Sequence, residues 1–171
     1  MDRFEKEKVF SEVYAFYKGR IKRICYGYIY ESQQVEDLFQ EIMINIWNSL
    51  DRFRGESNIG TWVYKVAVNT ALLYNRKIKF YSKIKLSVQE IGINTDNEID
   101  EINTREDKLK QLALCISKLQ RNDRLIITLI LEDLSYEQVS EIIGITPNHV
   151  GVKVNRIKKK LFTMINDMNY E

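Results

Sequence analysis

The sequence predicts an all-α protein of two small helical domains joined by a flexible acidic linker, the second domain ending in a helix-turn-helix. Three observations carry that prediction. Apolar residues recur at helical spacing through most of the chain, and no stretch alternates long enough to make a strand. The single proline, Pro147, stands at the first position of a predicted helix, where its missing N–H costs nothing. Between about Ser82 and Asn103 the periodicity fades into Gly92, Asn94, Asp96, Asn97 and several acids, a composition too polar to build a core. The expected division is residues 1–81, a linker over 82–103, and residues 104–171.

The first helix runs from about Phe4 to Tyr30, with Phe10, Val13, Tyr14, Tyr17, Ile21, Ile24, Cys25 and Tyr28 on one face and a possible break near Gly19. A second, from about Val35 to Leu50, turns Val35, Leu38, Phe39, Ile42, Ile46 and Leu50 one way and Glu36, Asp37, Gln40, Glu41 and Asn45 the other. The loop DRFRGES leads to a third helix from about Asn58 to Lys79, whose stripe is Ile59, Trp62, Val63, Val66, Ala67, Thr70, Leu73 and Tyr74. Beyond the linker, Leu109, Leu112, Ala113, Ile116 and Leu119 mark a fourth helix, and Leu125, Ile126, Leu129 and Ile130 a fifth.

The last segment, LSYEQVSEIIGITPNHVGVKVNRIKKKL, has the clearest local signals. Ser135 and Gln138 make a capping box, Gly144 suits a helix stop, and Thr146 can cap a helix that begins at Pro147. Tyr136, Val139, Ile142 and Ile143 form one apolar stripe; Val150, Val154, Ile157 and Leu161 form the next. Two short helices about a Gly-containing turn, the second ending in Lys158, Lys159 and Lys160, outline a DNA-binding helix-turn-helix.

Composition narrows the function classes. The chain has 171 residues, 44% hydrophobic and 29% charged, with a formal net charge of +2. That total conceals an uneven distribution: basic clusters at Arg76, Lys77, Lys79, Lys83 and Lys85 and at Lys153–Lys160 flank the acidic stretch from Asp96 to Asp107. No segment is apolar enough to span a membrane, and the start MDRFEKEK is not followed by a signal-peptide hydrophobic run, so a cytoplasmic location is expected. Cys25 and Cys115 lie among apolar residues and are expected to be buried thiols. The acids Glu36, Asp37 and Glu41 have no partner histidine, glycine-rich phosphate loop or Cys/His set, which argues against an enzyme and calls for no metal or cofactor.

The stretch VEDLFQEIMINIWNSLDRFRGESNIGTWVYKVAVNTA resembles region 2 of bacterial extracytoplasmic-function (ECF) sigma factors, and LSYEQVSEIIGITPNHVGVKVNRIKKKL resembles their region 4. The resemblance covers nearly the whole chain, in the family's order. It implies an alternative sigma factor that binds core RNA polymerase through its clamp and flap regions, recognises −10 and −35 promoter elements, helps to melt the promoter, and is held by a cognate anti-sigma factor. It implies a non-catalytic specificity subunit. Carried onto this chain, Asp37, Gln40, Glu41 and Asn45 would contact the polymerase. Phe53, Arg54, Ser57, Asn58, Asn69, Asn75, Arg76 and Lys77 would hold the −10 element. Thr146, Asn148, His149, Val152, Lys153, Arg156, Lys159 and Lys160 would hold the −35 element. Trp62 stands on the apolar stripe, so core packing and a melted-base role both remain open.

Some positions depart from the family pattern. His149, Gly151, Val152 and Lys153 stand where Thr, Lys, Ser and Arg are common, and Gly60 takes the place of a basic residue. A stand-alone DNA-binding regulator would explain the terminal motif but would leave the first domain and its acidic face without a role.

Overall fold

A computed structural model describes residues 2–29, 32–55, 58–84 and 105–169. Among the described residues there are seven α-helices and no strand: α1 (Arg3–Tyr28), α2 (Ser32–Ser49), α3 (Ile59–Ile84), α4 (Arg105–Ser117), α5 (Arg121–Leu131), α6 (Tyr136–Ile143) and α7 (Pro147–Asn169). A single 3₁₀ turn, Leu50–Arg52, extends α2. Most of the expected linker, residues 85–104, lies outside the described residues.

α1 is one continuous helix through Gly19 rather than two, started by Asp2, whose carboxylate accepts the Glu5 N–H. Helix α3 is capped by Asn58, whose side-chain oxygen accepts the Gly60 N–H at 2.8 Å. α6 has the full capping box expected of Ser135 and Gln138, and ends at Gly144, whose φ of 79° suits a residue without Cβ. Thr146 then caps α7, accepting the His149 N–H at 3.3 Å.

Helices α1, α2 and α3 pack on one another through Ile21, Ile24, Val35, Leu38, Ile42, Ile46, Val63 and Ala67, all fully buried. α4 to α7 enclose a second set, Leu125, Ile126, Leu129, Val139, Val150, Val154 and Ile157. The two sets are continuous, because α5 packs along α1 and α6 along α3. Cys25 and Cys115 are buried and free, and burial pushes the Cys25 thiol up to about 12.

Candidate functional site

Three surfaces carry the residues singled out above. The first is the outer face of α2. Its inward residues Leu38, Ile42 and Ile46 are fully buried, which leaves Asp37 and Gln40 exposed and Glu41 at the edge. Ile44 stands on this face 58% exposed, an apolar side chain among polar ones. Beside it a groove of about 750 Å³ is lined by Tyr14, Lys18 and Lys22 of α1 and by Phe39, Gln40, Met43 and Ile44 of α2. Glu36 accepts from the Lys22 ammonium at 2.7 Å, and that hydrogen bond raises the lysine's pKa. Asn45 is placed differently from its neighbours. It is half-buried and donates to the Thr70 hydroxyl at 3.1 Å, so its amide is engaged with α3.

The second surface is the loop before α3 and the start of that helix. Phe53 is half-buried, with its ring 5.1 Å from that of Trp62. Trp62 is likewise half-buried, so it both packs on the core and reaches the loop. Arg54, Asn58 and Asn69 are exposed, and Gly55 turns the loop with a φ of 72°. Ser57 lies outside the described residues, as do the side chains of Asn75, Arg76 and Lys77, whose backbone belongs to α3.

The third surface is α7. Val150, Val154, Ile157 and Leu161 are buried, and the opposite side presents Asn148, His149, Val152, Arg156, Lys159 and Lys160, all exposed, with Thr146 exposed at the helix start. Lys153 is half-buried. Its ammonium lies 4.0 Å from the Asp123 carboxylate, and the Arg156 guanidinium lies 3.9 Å from the same oxygen. Asp123, in the first turn of α5, is thus a buried acid beneath the basic face of α7. The helical period does not reveal it, because α5 and α7 meet only through the fold. The face offers guanidinium and amide groups for base edges, a methyl-bearing valine at its centre and ammonium groups for phosphates.

Two family models match this chain in that order: sigma-70 region 2 over residues 13–80 and sigma-70 region 4 over residues 109–161. The chain belongs to the ECF sigma factors. As such it directs promoter-specific transcription by RNA polymerase. This sigma factor is 26% identical over 153 residues to RNA polymerase sigma factor YlaC of Bacillus subtilis, with 88% of each chain covered. It is 27% identical over 164 residues to the ECF RNA polymerase sigma-E factor of Escherichia coli, covering 91% of this chain and 85% of that one. The fold is similar to that of the sigma factor RpoE solved in complex with the anti-sigma factor NepR from Bartonella quintana, with a TM-score of 0.69 at 18% identity over 93% of this chain and 98% of that one.

Proposed function

We propose that the three surfaces divide the work of initiation. The outer face of α2, with Asp37, Gln40, Glu41 and the exposed Ile44, engages the clamp of core polymerase; Asn45 supports it from behind through Thr70. The loop residues Phe53, Arg54, Ser57 and Asn58, with Asn69, Asn75, Arg76 and Lys77 on α3, hold the −10 element as it leaves the duplex. Stacking and phosphate contacts together suit an unpaired strand, and the Phe53–Trp62 pair puts aromatic surface beside the Arg54 guanidinium's loop. α7 reads the −35 element through Asn148, His149, Val152 and Arg156, with Thr146, Lys153, Lys159 and Lys160 on phosphates.

The observation that carries this reading is the outward face of α7. Val150, Val154, Ile157 and Leu161 of its stripe are buried, while Asn148, His149, Val152, Arg156, Lys159 and Lys160 stand exposed on the other side. Residues 1–81 and 104–171 are then the working domains, with 82–103 as the linker, and the subunit is non-catalytic and cytoplasmic. By analogy with RpoE, which is bound by NepR in its complex, a cognate anti-sigma factor restrains this chain too.

The test adds the purified chain to core polymerase with a library of promoter-like duplexes and sequences the RNA 5′ ends. Transcripts should start at a fixed distance from a shared two-part element. Selection of a duplex by the chain alone, without any gain in initiation by core polymerase, would replace this reading with a stand-alone regulator.

A further inference from the structure

An acid beneath a face assigned to a polyanion is out of place by charge alone. Asp123 stands in the first turn of α5, where the positive end of the helix dipole favours a carboxylate. Glu137 holds the corresponding place in α6 and has that benefit while fully in solvent. Asp123 is instead 9% exposed and lies against α7. Burial strips hydration from its charge, and the charge repels phosphates, so the helix dipole does not account for where it sits.

What Asp123 gains there is a pair of cations from α7. Lys153 and Arg156 stand one turn apart on that helix, to either side of the buried Val154. Both reach the same carboxylate oxygen, Lys153 with its Nζ at 4.0 Å and Arg156 with one Nη at 3.9 Å. Their surroundings differ. The Lys153 side chain is 23% exposed and that of Arg156 69%, so Arg156 is held at one nitrogen while the rest of its guanidinium faces outward. Lys158, Lys159 and Lys160, further along the helix, are exposed, and among the described residues no carboxylate pairs with them.

The two helices that meet at this acid are fixed to each other. Leu125, Ile126 and Leu129 of α5 and Val150, Val154 and Ile157 of α7 belong to one core. Asp123 therefore keeps one position beneath α7, and a cation tied to it starts from a restricted set of rotamers. An untethered arginine samples many orientations and surrenders that freedom on meeting a base; a tethered one surrenders less and offers its planar fork in one direction. The acid acts the other way on a duplex with no matching base, where it repels phosphates and gains nothing in return.

We propose that Asp123 is a positioning residue that sets specificity for the −35 element: from α5 it holds Arg156 and Lys153 against the reading face of α7, so that Arg156 meets a base edge in one orientation, and its charge weakens binding to duplexes that lack that base. The inference deepens the assignment of α7 to the −35 element and rests on it.

The test reconstitutes holoenzyme from the full chain and core polymerase and selects promoters from a library randomised across the upstream element. Binding to one selected promoter, and to the same promoter with that element scrambled, is then measured at several salt concentrations. Arg156→Ala should relax the preference at one base pair; if it relaxes none, the assignment of Arg156 to base reading fails, whatever Asp123 does. Asp123→Asn keeps the size of the side chain. It should relax that same base pair roughly threefold to tenfold, while binding to the scrambled promoter rises. Added to Arg156→Ala, it should relax that base pair no further. Lys153→Gln leaves the carboxylate to Arg156 alone and tests the same idea without altering Asp123. It should keep the preference at that base pair while weakening binding to every duplex and flattening the dependence on salt. With Arg156→Ala relaxed as expected, three results would overturn the role of Asp123. They are an Asp123→Asn holoenzyme with the natural preference, one that binds both promoters more weakly by the same factor, and a Lys153→Gln holoenzyme that has lost the preference.

Discussion

The two halves of this sigma factor are both all-helical, yet they are built from different side chains. All the described ring-to-ring contacts lie in α1, α2, α3 and the loop before α3: Phe10 on Trp47, Tyr17 on Tyr64, Phe53 on Trp62 and others. The half from α4 to α7 fills its core with Leu, Ile and Val. The difference fits the division of work proposed above. A half that handles unpaired bases benefits from rings whose faces reach the surface, since any base can stack on them. A half that reads an intact duplex needs one rigid helix, for which aliphatic packing of a single stripe is enough.

The largest test of this contrast removes one aliphatic anchor from each core. Ile42→Ala and Ile157→Ala each delete a buried side chain, and each should cost about 2–5 kcal/mol in denaturant unfolding. Because the cores are continuous through α1 with α5 and α3 with α6, both should lower the midpoint of one shared transition. Two separate transitions would break the comparison by making the halves independent.

Next come the two surfaces proposed to handle DNA. Trp62→Ala removes the ring behind Phe53 and should reduce initiation on duplex promoters roughly tenfold or more, at about 1–3 kcal/mol per lost stacking platform. A template with a pre-opened −10 bubble should recover most of that loss. A variant impaired equally on both templates would assign Trp62 to packing alone. Arg156→Ala should weaken binding to the −35 duplex by about 1–3 kcal/mol and relax base preference at one position. Lys159→Ala should weaken all sequences evenly and flatten the dependence on salt. Titrations at several salt concentrations separate these two outcomes.

How much of this was legible in the sequence depends on the range of the interaction. The faces of α2 and α7 follow from a 3.6-residue period, and the capping box at Ser135, the stop at Gly144 and the cap at Thr146 follow from residues three or four apart. Gly19 did not break α1, because one glycine on a helix packed along its length costs only about 1 kcal/mol. Asn45 reads as outward by period, yet it stands at the edge of the stripe, where Thr70 of another helix decides its direction. Asp123 beneath α7 and Glu132 beside Arg23 bring together residues far apart in the chain, and no local pattern encodes which helices will meet.

The finest test of the comparison comes from two glycines, one in each half, that both face a tyrosine. A Cβ at Gly60 would lie 2.6 Å from the Tyr17 hydroxyl oxygen and 3.0 Å from the capping oxygen of Asn58. The Tyr17 ring is set edge-on against Tyr64 at 5.8 Å and Phe16 at 4.8 Å, so it cannot withdraw without disturbing both. Gly60→Ala should therefore destabilise the fold by about 1–3 kcal/mol, outweighing the helix propensity gained. A Cβ at Gly151 meets Tyr136 at 3.3 Å, but Tyr136 opens α6 and is 38% exposed, so its ring can yield by a few tenths of an ångström. Here propensity wins, and Gly151→Ala should raise stability by somewhat under ~1 kcal/mol. Thermal melts of the two variants side by side would show opposite signs if ring packing is what distinguishes the halves. Equal signs would mean that the aromatic half tolerates a shifted ring as easily as the aliphatic one does.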